Sequence, residues 1–196
     1  GNRCNKGMML SGSSNMATGN HVVTNLYLDI NENATAFKAN TVDGTVTIKG
    51  AAAVLEFNDN HVGGALAYDA VGSYLNASTF CGNRMGSTTI FAPDAGLTPS
   101  LKDTVVNGNH FNDFSAQESL DCTFTGNRCL GNVIFTKAAG LLCNNNRIGT
   151  NGAARNLGVT DSDDYVCNGN YVTGDIVVDD AGTVGTGAGI LVGNRA

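Results

Sequence analysis

Aspartates that could hydrolyse a glycosidic bond occur in two groups of the sequence. They are Asp161, Asp163 and Asp164 in the first group, and Asp179 and Asp180 in the second. Glycoside hydrolases use two carboxyl groups, one as the acid and one as the base or nucleophile. These five residues are therefore the candidate catalytic residues if the protein is an enzyme. Aspartate-rich segments between strands are more often solvated turns, so we expect no catalytic site and keep the enzyme as the alternative.

Cationic residues recur directly after an asparagine, in motifs such as Gly-Asn-Arg and Gly-Asn-His. This position holds all three histidines and five of the six arginines of the chain. We call it the basic column, and its ten members are Arg3, His21, Thr41, His61, Arg84, His110, Arg128, Arg147, Tyr171 and Arg195. Arginine is enriched at protein interfaces, so the eight cationic members are the candidate interface residues. Alternatively, their long side chains cover the turn and pair with nearby carboxylates.

Neither the histidines nor the cysteines predict a metal site. His21 and His61 are two repeats apart, which corresponds to about 9.5 Å at the spacing of β-strands, too far to share one ion. The six cysteines include no Cys-x-x-Cys pair. We expect no metal and no cofactor, and we expect Cys143 and Cys167 to be buried free thiols. Free cysteines indicate folding in a reducing cytoplasm.

The residues above belong to a repeat of about twenty residues, which is marked by its asparagine. The asparagines are Asn2, Asn20, Asn40, Asn60, Asn83, Asn109, Asn127, Asn146, Asn170 and Asn194. The positions three before and two after them are apolar throughout. Six and eight residues after most of them stands a further apolar pair with the period of a β-strand. The copies that begin at Asn83, Asn109 and Asn146 lose this last register.

These columns predict that each repeat is one coil of short strands and turns. A single coil cannot bury its apolar residues, but stacked coils form a continuous core. The Gly-Asn pair suits a tight turn, and stacked asparagine amides can hydrogen-bond from coil to coil. Nine steps at about 4.8 Å give a rod of about 43 Å. We predict that Phe37, Phe57 and Phe80 lie on top of each other.

Composition excludes several classes of protein. The charged fraction of 14% and the hydrophobic fraction of 42% are not those of a disordered chain. The net charge of −6 argues against nucleic acid as a partner, and no apolar run predicts a membrane span. Residues 1–196 are expected to form one domain. The lack of a leader and of an initiator methionine suggests a processed or excised part of a longer chain.

The apolar–x–x–Asn–x–apolar turn, the asparagine ladder and the phenylalanine stack resemble the right-handed parallel β-helix, the pectin-lyase-like fold. The resemblance covers nearly the whole chain and implies an all-β solenoid of about nine to ten coils. Known members include polysaccharide lyases and hydrolases, bacterial surface proteins, and bacteriophage tailspikes and related virion proteins. The fold alone does not choose among these functions.

The expected function is that of a non-enzymatic structural or binding β-helix of a virus particle, similar to a bacteriophage tailspike or a capsid-decoration protein. The resemblance implies a homo-oligomer, with a trimer favoured, and contacts to a virion or capsid surface. A glycan is a further possible partner. The alternative is a polysaccharide lyase or glycoside hydrolase of the same fold. Open strand edges at both ends of the rod predict a cap from a neighbouring subunit or from chain outside this segment.

Overall fold

The computed structural model is a parallel β-helix, as the repeat predicts. It describes residues 1–12, 14–30, 34–50, 54–70, 74–93, 100–150, 153–179 and 189–196, without the side chains of residues 69, 70, 92, 93 and 179. Three sheets contain nine strands each, and every pairing between consecutive turns is parallel. Nine strands per sheet agree closely with the predicted nine to ten coils. No helix in the described part of the chain is long and apolar enough to cross a membrane.

The strands of one turn follow the order sheet 1, sheet 2, sheet 3. Sheet 1 comprises Arg3–Cys4, His21–Val22, Thr41–Val42, His61–Val62, Arg84–Met85, His110–Phe111, Arg128–Cys129, Arg147–Ile148 and Tyr171–Val172. Sheet 2 comprises Met8–Gly12, Leu26–Ile30, Val46–Lys49, Leu66–Ala70, Thr89–Pro93, Phe114–Gln117, Val133–Thr136, Leu157–Thr160 and Ile176–Asp179. Sheet 3 comprises Met16–Thr18, Thr35–Lys38, Leu55–Asn58, Thr79–Cys81, Val105–Asn107, Thr123–Thr125, Leu142–Asn144, Val166–Asn168 and Ile190–Val192. A three-stranded corner sheet between sheets 2 and 3 comprises Leu75–Asn76, Leu101–Lys102 and Ser119–Leu120.

The core is the stack of inward side chains that the sequence predicts. The rings of Phe37 and Phe57 have centroids 5.4 Å apart and are nearly parallel, and Phe80 follows at 5.8 Å. The aromatic contacts then continue through Phe91 and Phe114, which sheet 2 contributes. The prediction that Phe37, Phe57 and Phe80 lie on top of each other is therefore confirmed, and the structure extends the stack to Phe91 and Phe114.

Two of the three repeats that were expected to lose the sheet 2 register do so by a change of turn length. The repeat at Asn109 reaches sheet 2 one residue early, because Phe114 pairs with Thr89. The repeat at Asn146 arrives five residues late, because Leu157 pairs with Val133. The prediction was wrong for the repeat at Asn83, which keeps the register. Thr89 occupies the apolar position of that repeat, and its side chain is buried although it is polar.

In the tight turn, one residue adopts the left-handed backbone conformation and the next residue forms the hydrogen bonds between turns. The left-handed backbone belongs to the residue before the ladder asparagine, for example Gly126 at φ +63° and Ala39 at φ +52°. Glycine is favoured there because it has no Cβ to clash in this region. The asparagine that follows is free to use its side chain for hydrogen bonds between turns.

Candidate interaction surface

The asparagine ladder holds the backbone beneath the basic column. Each ladder N–H donates to the side-chain oxygen of the next asparagine, at 2.8 to 3.0 Å from Asn2 to Asn194. The amide nitrogen of each asparagine from Asn40 onwards donates to a backbone carbonyl of the previous turn, as Asn127 does to Val106 at 3.0 Å. Seven of the ten asparagines are at most 2% exposed. These bonds satisfy polar groups that would otherwise be buried without partners.

The residue after each ladder asparagine is fixed by the same network. Its N–H donates to the carbonyl of the asparagine one turn earlier, for example Arg128 to Asn109 and Arg147 to Asn127, both at 2.8 Å. Because each strand of sheet 1 has only two residues, one inward and one outward, every turn presents one outward side chain at this position. The ladder therefore determines where the basic column lies.

The structure brings all ten members of the basic column together in one line. Direct strand pairings join Arg3 to His21 and continue turn by turn to Tyr171, and an isolated bridge adds Arg195. Arg3, His61, Arg84, Arg128, Arg147, Tyr171 and Arg195 are exposed, and His21, Thr41 and His110 are half-buried. Adjacent members are one strand spacing apart, about 4.8 Å along the rod.

Pairing with nearby carboxylates, the alternative reading of the column, holds at its beginning. His21 Nε2 lies 2.9 Å from Asp43 Oδ2. Arg3 Nε donates instead to an uncharged amide oxygen, Asn5 Oδ1, at 2.9 Å. The second half of the column differs. No carboxylate of the described residues forms an ion pair with its arginines, which are Arg84, Arg128, Arg147 and Arg195. Within the described part of the chain, these four arginines therefore carry charge that no neighbouring carboxylate compensates.

Tyr171 interrupts the cations and orients two of them. The guanidinium carbon of Arg147 lies 5.7 Å from the centre of the Tyr171 ring, and that of Arg195 lies 6.0 Å from it. Both distances are within the range of cation–π attraction. The sequence placed Tyr171 in the column but did not predict its contacts with two arginines. The order Arg147, Tyr171, Arg195 in successive turns could have indicated them.

His110 lies between Arg84 and Arg128 in the column. Partial burial lowers the pKa of its imidazole below the usual 6.5, and the positive charges of Arg128 and Arg84 lower it further. Its Nε2 atom is buried and has no hydrogen-bond partner among the described residues. When His110 is neutral, it does not add to the repulsion between the cations of the column. The positive charge of the column therefore resides mainly on the arginines.

Three of the carboxylates proposed as catalytic residues, Asp161, Asp163 and Asp164, lie at a corner of the turn. Asp161 and Asp164 adopt the left-handed backbone region, with φ of +50° and +49°, and Asp163 bridges Ala139 of the previous turn. Asp161 and Asp164 are exposed and Asp163 is half-buried. The side chain of Asp179 and all of Asp180 lie outside the described residues, so their proposed role stays a prediction.

These aspartates belong to a larger set of acids at the same corner. We call this set the acidic corner, and its members are Asp103, Glu118, Asp121, Asp161, Asp163 and Asp164. The corner lies where the chain passes from sheet 2 to sheet 3. It is on the opposite side of the turn from sheet 1, which contains the basic column. Two lysines accompany these acids, and one of them, Lys137, pairs with Glu118 at 3.2 Å. The sequence analysis missed this set because its members come from three repeats.

Two surface depressions lie beside the turn between Arg147–Ile148 and Leu157–Thr160, and neither offers an acid–base pair of the type a hydrolase uses. A cavity of about 450 Å³ is lined by Thr150, Ala153, Ala154, Tyr171, Val172, Thr173 and Ala196. A second, of about 250 Å³, is lined by Asn112, Asp113, Leu130, Gly131 and Arg155. The Asp113 carboxylate accepts the Asn132 N–H at 2.9 Å, so it stabilises the turn between sheets 1 and 2.

All six cysteines are free thiols. Cys122, Cys129, Cys143 and Cys167 are buried, and Cys4 and Cys81 are half-buried. Burial raises the pKa of Cys122 to about 11 and raises the pKa of Cys129 further. Cys143 and Cys167 pair directly in sheet 3, where the contact with Cys167 and burial raise the pKa of Cys143. Thiols with raised pKa values are poor nucleophiles at neutral pH. Among the described residues, no three histidine, cysteine or acidic side chains are grouped closely enough to hold a metal ion.

Neither a family model nor a curated protein nor a solved structure matches this chain. The architecture and the geometry of its side chains are therefore what any statement on function must use. The feature with the clearest chemical consequence is the uncompensated half of the basic column.

Proposed function

We propose that the protein is a structural and binding β-helix that acts through its basic column and catalyses no reaction. The observation that carries this proposal is the exposed line of Arg84, Arg128, Arg147 and Arg195, in register and without paired carboxylates. An anionic surface that docks on this line would compensate its charge, and guanidinium groups can bind carboxylates through two parallel hydrogen bonds.

The rigidity of the scaffold supports a binding role. The ladder fixes the backbone of every turn, and the Tyr171 ring restricts Arg147 and Arg195. Side chains that are ordered before binding lose less conformational entropy when the partner arrives. A repeated flat rod also presents its contacts over several turns at once, which suits association with an extended partner.

The setting that we propose is a virus particle, in which the partners are further copies of the chain and the particle surface. The support is the resemblance of the asparagine-laddered β-helix to tailspike and decoration proteins. The copy number and location of the chain in purified particles test this setting. A chain found only outside particles would contradict it.

Neutralising the uncompensated arginines tests the binding role. The variant R84Q/R128Q/R147Q/R195Q should keep its fold, because none of these side chains has a polar partner among the described residues. We expect it to lose binding to purified particles and to show less self-association by sedimentation. K6Q/R155Q, which removes two exposed cations outside the column, is the control. Binding equal to that of the unchanged protein would contradict the proposal, as would cleavage of a polysaccharide with or without Ca²⁺.

A further inference from the structure

The backbone conformation of the acidic corner does not require charged residues. Asp103, Asp121 and Asp164 occupy equivalent positions in their turns, with φ between +47° and +51°. The equivalent residues in two other turns are Ala77 and Gly140, which have the same backbone conformation. Glycine is the residue that this conformation favours most, so an uncharged residue would serve the turn. Aspartate adds an exposed negative charge in three turns.

These three aspartates are uncompensated in the same way as the arginines across the rod. Neither Asp103, Asp121 nor Asp164 forms an ion pair with a cation of the described residues. Among the described residues, the corner contains six carboxylates and two lysines, Lys102 and Lys137. It is therefore a net negative surface, whereas the second half of the basic column is a net positive one.

The two surfaces match in extent and in spacing. The acids run from Asp103 to Asp164, within the stretch of chain over which the basic column runs from Arg84 to Arg195. Both follow the rise of the same coil, so their positions repeat at the same interval of about 4.8 Å along the rod. His110 and Tyr171 interrupt the arginines of the column, and Gly140 interrupts the aspartates of the corner. When two rods stand side by side without stagger, Arg84 of one rod lies in the same turn as Asp103 of the other, and Arg147 lies in the same turn as Asp164.

We propose that the basic column of one copy docks against the acidic corner of a second copy, so that the rods associate side by side. This inference rests on the proposed function and names the partner face. The contact joins two different surfaces, so a pair of copies keeps one free basic column and one free acidic corner. Such a heterologous contact continues into a closed ring or an open row of rods.

Charge reversal on each face tests the contact. R128E/R147E places acids opposite acids, and D121K/D164K places cations opposite cations, so each variant alone should be repelled by its own copies. We expect the dissociation constant of self-association to rise at least about 100-fold in each, because like charges brought together cost several kcal/mol. An equimolar mixture of the two variants should associate again, since one reversed face then meets the other.

The controls keep the net charge change but avoid both faces. K6E/R155E matches the arginine reversal, and D29K/D175K matches the aspartate reversal. Both should self-associate like the unchanged protein in analytical ultracentrifugation. Circular dichroism and thermal unfolding check that all four variants are folded. Association of the unchanged protein should weaken as salt is raised, since exposed charges are screened.

The outcomes separate the two proposals. If D121K/D164K associates like the unchanged protein while R128E/R147E does not, the acidic corner is not the partner and the inference is wrong, but the binding role of the basic column survives. If the unchanged protein stays monomeric at every concentration, the inference is also wrong. The particle-binding experiment on the glutamine variant then decides the proposed function by itself. Recovery of association only in the mixture supports the inference.

Discussion

At the scale of single residues, the ladder asparagines carry the largest polar contribution to the fold. Asn127 donates its N–H to Asn146 and its amide to the Val106 carbonyl and to Asn146, and its oxygen accepts from Asn109. It is 1% exposed, so no water can replace these bonds once the side chain is removed. The sequence showed which asparagines recur, but not that the amide also reaches back to the previous turn.

Asn127→Ala should lower the free energy of unfolding by about 3 kcal/mol. It leaves the Asn109 N–H buried without a partner, which costs about 1–3 kcal/mol, and it removes three further hydrogen bonds of the Asn127 side chain, to Asn109, Asn146 and the Val106 carbonyl. Asn2→Ala is the matched control, since Asn2 is exposed at one end of the same ladder and its loss should cost less than about 1 kcal/mol. Denaturant unfolding measures both values, and equal effects at the two positions would contradict this account.

His110 allows a test of the charge on the basic column. Its pKa should lie below 6.5, because burial and two neighbouring arginines disfavour the proton. As the pH falls through this range, the unfolded chain binds the proton more readily than the folded one, so His110 should reduce stability in acid. Titration by NMR should show the His110 pKa rising in Arg128→Gln. A pKa above 6.5 in the unchanged protein would show that an unseen anion compensates the column.

At the scale of the strand, the alternation of inward and outward side chains decides which substitution lowers stability. In Val133–Thr136, Phe135 points inward and is 1% exposed, whereas its neighbour Ile134 points outward and is 41% exposed. The Phe135 ring packs against Phe114 and Phe124 at 5.5 and 5.4 Å. One strand therefore offers a core position and a surface position side by side.

Phe135→Ala should reduce stability by about 3–5 kcal/mol, the range for removal of a buried phenylalanine ring. Ile134→Ala, on the same strand, should cost less than about 1 kcal/mol, because much of its side chain already contacts water. Thermal or chemical unfolding measures both. A larger loss at Ile134 would mean that a neighbouring molecule covers the outer face of sheet 2, or that the strand register is wrong.

The strands also show how much of the fold could be predicted from the sequence. The repeat predicted the coil, the inward columns and the line of cations, because a side chain in the same phase of each turn falls in the same place. It could not predict where sheet 2 resumes after Asn146, since the five-residue excess sits in the turn and not in a strand. The acidic corner was missed for a related reason. Asp103, Asp121 and Asp164 keep a constant offset from the next asparagine, but this position lies outside the apolar columns that define the repeat.

At the scale of the whole molecule, the rod is a linear stack in which each turn contacts only its neighbours. Central turns have a neighbour on both sides, whereas the terminal strands are less covered: Leu191 and Val192 are 48% and 54% exposed. At the other end Met16 is 80% exposed. The predicted cap on these ends stays a prediction.

The ladder N–H groups make a matched series for measuring how stability varies along the stack. Each is the same group in the same motif, from exposed Asn2 to buried Asn109 and half-buried Asn194. Hydrogen exchange should be slowest at Asn83, Asn109 and Asn127 and at least about 100-fold faster at Asn2 and Asn20, because end turns open without the rest. Protection that is uniform along the ladder would contradict independent opening of the ends. Repeating the measurement on R128E/R147E, which should be monomeric, then shows whether associated copies provide that protection or whether the whole rod unfolds as one unit.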